Sequence, residues 1–350
     1  MSRRIHAPNF MKKSYLLLSG IIFLLTSQVS QAQYWSRWQK THNVTVGISS
    51  DDKWAFFIKK EASGAENIYK VDLKTTTVTP VTNFVDGHIE RAIVLFGKPS
   101  IVYARAVSSK GDDVHLFRIN TLTNDAPLDL TPGEGTTSKK IIGLSYNGRY
   151  VYYTSDKGPN TKTDTYRYDT QQYILELALA NDKDYQTLCW SRDQTHLLIR
   201  DPKSSEILNY SIESTNRDKI DIAAAFPEVK TLFYDPMNTK YYFIGNERTL
   251  LSCKIGAANP TENEAILSTE KIDQINLSLN GKYLHVITGE EEKVVDKTTS
   301  QALQLPNGAF DLMVSPKETS VLYVAIDATG MKFFVYDIVK KTSKELATFK

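Results

Sequence analysis

The stretch Ser278-Leu279-Asn280-Gly281-Lys282-Tyr283-Leu284-His285-Val286 is a short polar turn followed by a β-rich run, and the chain carries seven segments of this kind. The others read SSDDKWAFF from Ser49, FGKPSIVY from Phe96, SYNGRYVYY from Ser145, SRDQTHLLI from Ser191, YDPMNTKYYFI from Tyr234 and SPKETSVLYV from Ser315. Successive starts lie 47, 49, 46, 43, 44 and 37 residues apart. Asn, Asp and Gly let the chain reverse, and the β-branched and aromatic residues that follow suit a pleated surface. A period of about 40–50 residues with four strands per unit predicts a β-propeller.

Each unit has a second half with two more strand-like runs. They read NIYKVDL with TVTPVT, VHLFRIN with PLDLT, TYRYDT with ILELALA, ILNYSIE with KIDIA, LLSCKIG with EAILS, KVVDKTT with QALQL, and FFVYDIV with KELATF. Polar turns join the members of each pair, as hairpins require. Tyr69, Phe117, Tyr168, Tyr210 and Tyr336 recur in comparable places and are expected to pack between blades.

The innermost strand should precede each motif. One residue back stand Ile48, Leu95, Leu144, Trp190, Phe233, Leu277 and Val314; three back stand Val46, Ile93, Ile142, Leu188, Thr231, Ile275 and Leu312. A spacing of two is a strand period, and all of these but Thr231 are apolar. Gly47, Gly143 and Cys189 lie between them and suit crowding near a central channel. The fold expected is all-β: a seven-bladed propeller of four-stranded antiparallel blades over residues 40–350, with six or eight blades as alternatives. Ring closure would join first and last blades through side chains, with no exchanged strand. Residues 33–39 form an aromatic segment in which Trp35 and Trp38 are expected to pack across the ring.

Lys12 and Lys13 precede an apolar run from Tyr15 to Leu25, and Ser30-Gln31-Ala32 closes the polar stretch after it. This is the pattern of a signal peptide over residues 1–32, with Met11 a possible true start. Export into a bacterial periplasm or beyond is expected, with no transmembrane segment left in the mature chain. Of 42 basic residues, Arg3, Arg4, Lys12 and Lys13 lie in that leader, so 38 face 40 acidic residues after it. Such a balance has no basic footprint for nucleic acid. Cys189 and Cys253 are the chain's two cysteines; on this register they occupy different blades, too far apart to bridge readily.

Ser145-Tyr146-Asn147-Gly148-Arg149, Ser278-Leu279-Asn280-Gly281-Lys282 and Ser49-Ser50-Asp51-Asp52-Lys53 resemble the repeat of TolB-type propellers, roughly Ser-Pro-Asp-Gly-Lys before β-branched and aromatic residues. Units two and five, with Gly97-Lys98-Pro99 and Asp235-Pro236, depart from it. The resemblance covers nearly the whole mature chain and implies architecture. Similar repeats occur in periplasmic scaffold proteins, in propeller domains of prolyl-oligopeptidase-like enzymes, and in some lactonases and lyases.

The chain contains no Gly-x-Ser-x-Gly elbow, no His-Glu-x-x-His and no zinc-spaced cysteine pair. Asp51-Asp52, Asp112-Asp113 and Glu290 to Glu292 read as solvated turns, without the alternating oxygen spacing of a calcium loop. A monomeric, non-enzymatic scaffold without a cofactor is therefore expected, binding a protein, a peptide or a small molecule. The alternative is a propeller enzyme, a lactonase-like hydrolase or metal-assisted lyase, working at the channel mouth.

The candidate ligand-binding residues are His42, His88, Arg91, Lys139 and Lys140, all where the chain runs into inner strands. In a propeller these approaches share a face with the loops joining second to third strands. His42 and His88 serve adjacent blades there, and lack an evident third metal ligand. Arg91, Lys139 and Lys140 against Glu90 make units one to three a basic lip; Lys183, Lys230 and Lys271 against Asp184, Glu228, Glu270, Asp273 and Asp311 make the rest acidic. The second-to-third-strand loops of units one to three also read as longer than those of units four to seven.

Overall fold

A computed structural model describes residues 44–107, 113–123, 125–132, 139–145, 149–156, 163–180, 185–191, 195–201, 203–220, 232–234, 240–245, 248–254, 262–266, 271–289, 291–328 and 330–349. Residues 1–43, including the leader pattern, Trp35, Trp38 and His42, lie outside this set. Among the described residues, strands form seven four-stranded antiparallel sheets, each made of four consecutive strands. The molecule is an all-β propeller of four-stranded blades. The innermost strands are β1 (Thr45–Ile48), β5 (Ile89–Val94), β9 (Lys139–Leu144), β13 (Gln186–Trp190), β17 (Leu232–Tyr234), β21 (Gln274–Leu277) and β25 (Phe310–Val314).

Every blade is buried on both faces, which is why second strands read as continuous apolar runs rather than alternating ones. In β2 (Trp54–Lys60), Ala55 and Phe57 face the last blade while Phe56 and Ile58 face the second. The buried apolar residues accordingly fall into seven clusters, one per seam between neighbouring sheets. The recurring aromatics Tyr69, Phe117, Tyr168, Tyr210 and Tyr336 pack in these seams. Tyr69 and Phe117 stack on a partner on the adjacent strand, as Tyr166 and Phe334 do in the third and last blades. Phe57 stacks on Tyr69 with centroids 5.7 Å apart, Tyr103 on Phe117 at 5.5 Å, Tyr153 on Tyr166 at 5.4 Å and Tyr323 on Phe334 at 4.9 Å.

The repeated serine has a structural job. Its N–H donates to the carbonyl five residues on, and its Oγ accepts the N–H of that same residue. The hydroxyl bonds run from Trp54 to Ser49 (3.0 Å), Tyr150 to Ser145 (2.8 Å), His196 to Ser191 (3.0 Å), Tyr283 to Ser278 (2.9 Å) and Ser320 to Ser315 (3.2 Å). The turn between first and second strands is thus pinned by the serine side chain. In the second blade the equivalent backbone bond is Leu95 N–H to Ser100 at 2.9 Å. Leu95, not Phe96, therefore occupies the serine position, and Val94 and Ala92 are the inner-strand residues there. The sequence register is off by one in that blade because its turn lacks the hydroxyl.

Side chains close the ring. Val44, Ile48 and Phe57 of the first blade share a core with Leu322, Val324, Met331, Phe333 and Phe349 of the last, in which β28 (Thr342–Phe349) stays paired with β27 (Gly330–Asp337). Asp311 Oδ2 accepts the Thr45 N–H at 2.5 Å, Lys317 meets Asp52 at 3.1 Å, and Lys344 Nζ donates to the Leu73 carbonyl at 2.6 Å. Cys253 is buried on β19 (Thr249–Lys254), and the side chain of Cys189 on β13 lies outside the described residues.

Candidate functional site

The inner strands of the first, second and third blades and the end of the last blade's inner strand line an open cavity of about 260 Å³, bounded by Thr45–Ile48, Arg91–Val94, Gly143, Met313, Val314 and Pro316. Its wall is mostly aliphatic. Gly47, at φ +148°, lets strands converge here: a Cβ would sit 3.0 Å from Val94 Cγ2 and 3.4 Å from Met313 Sδ.

Arg91 is the cation on that wall. Its Nη1 donates to the carbonyls of Ile141 (3.2 Å) and Ile142 (2.9 Å) on the neighbouring inner strand. Burial pulls its pKa below the ordinary guanidinium value, and so basic a group stays charged at neutral pH. Among the described residues no carboxylate pairs with it, and Nε and Nη2 make no hydrogen bond. The guanidinium is therefore anchored by one nitrogen, with further donors still to satisfy.

The other candidates are dispersed. Lys139 is fully buried, its Nζ 2.9 Å from the Val114 carbonyl, so its charge joins the third blade to the second instead of standing on a solvent-facing lip. Lys140, the next residue, is exposed. His88 is about one-third exposed and has Nε2 3.9 Å from Glu90 Oε1. Its approach loop is held down by Arg105, whose Nη2 bonds both the Asp86 carbonyl and Oδ1 at 2.9 Å. Gly87 (φ +77°) is needed there, since a Cβ would come within 2.6 Å of the Ala106 carbonyl.

Two polar groupings escaped the sequence reading. Glu292 is not in a solvated turn: it lies on β23 (Glu291–Asp296), where Oε2 meets His285 Nε2 at 2.9 Å and accepts the Leu312 N–H at 3.0 Å. The two are diagonal neighbours across a strand pair, so a correct register would have found them. Burial raises the Glu292 pKa, but bonds from His285 and Leu312 outweigh it and hold the carboxyl below its usual value. Asp311, close by, has φ +52° and a pKa pushed up to about 6, first by burial and further by the Glu292 charge. In the second blade, His115 sits between Asp113 (3.2 Å) and Asp129 (2.8 Å). Among the described residues, no group of three His, Cys, Asp or Glu side chains is arranged to hold a metal ion. Nor is any described helix long and apolar enough to cross a membrane.

The loops from second to third strands span residues 61–65, 107–113, 156–163 and 201–206 in the first four blades, then only 246–248, 289–290 and 328–329. The unevenness expected on this face exists, but the fourth blade belongs with the longer group.

TolB from Acinetobacter baumannii superposes with a TM-score of 0.51 over 85% of this chain and 82% of its own, at 12% identity. The fold is that of a TolB-type β-propeller. An oligogalacturonate lyase in complex with manganese gives a TM-score of 0.60 over 85% of this chain and 89% of its own, at 10% identity. A Mycobacterium tuberculosis puromycin-hydrolyzing peptidase also gives 0.60 at 14% identity, but this chain spans only 54% of it. Identities this low establish common architecture and leave activity open. No protein-family model matches the chain, and no curated protein matches it.

Proposed function

We propose that this chain is an exported, non-enzymatic binding scaffold, a single seven-bladed ring over residues 40–350. Its channel on the side of the first three blades would receive a ligand with an apolar body and an anionic group. The observation that carries this reading is Arg91, a wall cation tethered to two carbonyls beside Val46, Val94 and Met313, with donors left over. Charged hydrogen bonds in such surroundings are worth about 1.5–3 kcal/mol each. Lys140, exposed nearby, would act mainly on association rate and salt dependence. His88 and, by its sequence position, His42 stand on the same side. Seven sheets with seven seam cores support the blade number.

The test uses N-acetyl-Val-Leu-Val with a free carboxylate and the same peptide as its C-terminal amide, titrated calorimetrically. The carboxylate form should bind more tightly. Arg91→Met should erase that preference, weakening the carboxylate form by roughly tenfold or more while leaving the amide unchanged. Lys140→Ala should weaken it more at low salt than at high salt. Equal binding of the two peptides to the wild type would sink the reading. Export is tested separately by N-terminal sequencing of native protein, which should begin at Gln33; an intact Met11 end on cytoplasmic material would refute it.

A further inference from the structure

A propeller leaves the outermost strand of every blade unpaired on one side, and most blades here blunt that edge. β4 (Val78–Pro80) carries a proline, and β8 (Leu128–Asp129) and β24 (Gln301–Ala302) are two residues long. β16 (Arg217–Ile220) exposes Arg217, Asp218 and Lys219, β20 (Glu262–Ile266) carries two glutamates, and β28 exposes Lys344 and Glu345. These are the usual protections against edge-to-edge pairing.

The third blade differs. Its edge, β12 (Ile174–Leu179), reads ILELAL, with no proline. Its one charge, Glu176, is spent on Arg167 Nε at 2.6 Å. Ile174 and Leu177 are 48% and 51% exposed and Tyr173, next to Ile174, 56%; Leu128, paired with Arg118 in the second blade, is 51% exposed. At the Ile174 end two cations gather on the Tyr173 ring: the Arg118 guanidinium at 4.3 Å and Lys98 Nζ at 5.5 Å. Lys98 also donates to the Thr170 carbonyl. Among the described residues neither cation has a carboxylate partner.

We propose that β12 is a docking edge for an extended segment of another protein, added to the sheet as a fifth strand. Apolar side chains of that segment cover Ile174 and Leu177, and its carboxylates meet Arg118 and Lys98. The outward row of backbone N–H and C=O groups is satisfied in register only by another extended backbone. The charge favours an acidic partner over a second copy of this chain, because the edge a second copy would present carries one acid, Glu176, already bonded to Arg167. This surface is on the outer rim and does not depend on the channel reading.

The probe is the peptide Thr-Val-Thr-Val-Thr-Val-Glu-Glu, whose acidic end antiparallel pairing lays beside Ile174, measured by fluorescence anisotropy. It should bind, and two lysines in place of the glutamates should weaken it. N-methylation at one set of alternate residues should abolish binding and at the other set should not. Leu177→Lys should weaken binding by about tenfold or more, and Val339→Lys, an exposed change elsewhere, should not. Arg118→Glu should reverse the preference towards the lysine peptide. The proposal is overturned if the acidic peptide fails to bind, or binds regardless of Leu177→Lys and of either N-methyl set. It is also overturned if the chain dimerises by itself and Leu177→Lys abolishes the dimer, which would make the occupant a second copy.

Discussion

Phe57→Ala is expected to destabilise the fold by about 3–5 kcal/mol, the range for removing a fully buried phenylalanine. The ring is 0% exposed and is the hub of the closing seam, with centroids 4.8 Å from Phe349, 5.0 Å from Phe333 and 5.7 Å from Tyr69. Phe333 and Phe349 belong to the last blade, so the cavity opens at the seam between the first and last blades. Such a void fills poorly, because rigid strands on both sides cannot collapse into it. Equilibrium urea unfolding measures the loss, and hydrogen exchange should rise first in β1 and β28. A loss below about 1 kcal/mol would mean that closure rests on something other than this cluster.

Asp311→Asn should flatten the pH dependence of stability. The Asp311 carboxyl titrates near 6 in the folded chain and at about 3.9 when unfolded. Between these values the folded state holds the extra proton, so stability falls as pH rises through the window. At about 1.4 kcal/mol per pK unit, raising pH from 4.5 to 7.5 should cost the wild type roughly 2 kcal/mol that the variant keeps. Asparagine still offers an oxygen to the Thr45 N–H and tolerates the left-handed backbone at this position. Glu292 acts oppositely: held below its usual value, it contributes stability that is lost as pH falls below about 4.5, so the comparison belongs above that pH. Equal pH slopes for variant and wild type between 4.5 and 7.5 would exclude Asp311 as the titrating group.

The repeat and its strand order were legible in the sequence because they depend on short-range geometry. Polar turns reverse the chain, a two-residue period faces side chains towards one seam, and a serine hydroxyl reaches an N–H only five residues away. These interactions survive without knowledge of any neighbour. The register of the second blade was misread where that hydroxyl is missing, at Leu95. The fate of individual charges was decided across seams, by residues far apart in the chain. Lys139 and Lys140 are adjacent, yet one is sealed against Val114 and the other is in water. Arg91 carries a free-looking charge in the sequence, but the carbonyls of Ile141 and Ile142 aim it along the channel wall. Asp311 meets Thr45, 266 residues away, only because the ring closes. Local patterning determined that the chain builds blades; closure of those blades on one another determined which polar groups are buried, paired or left to meet a ligand.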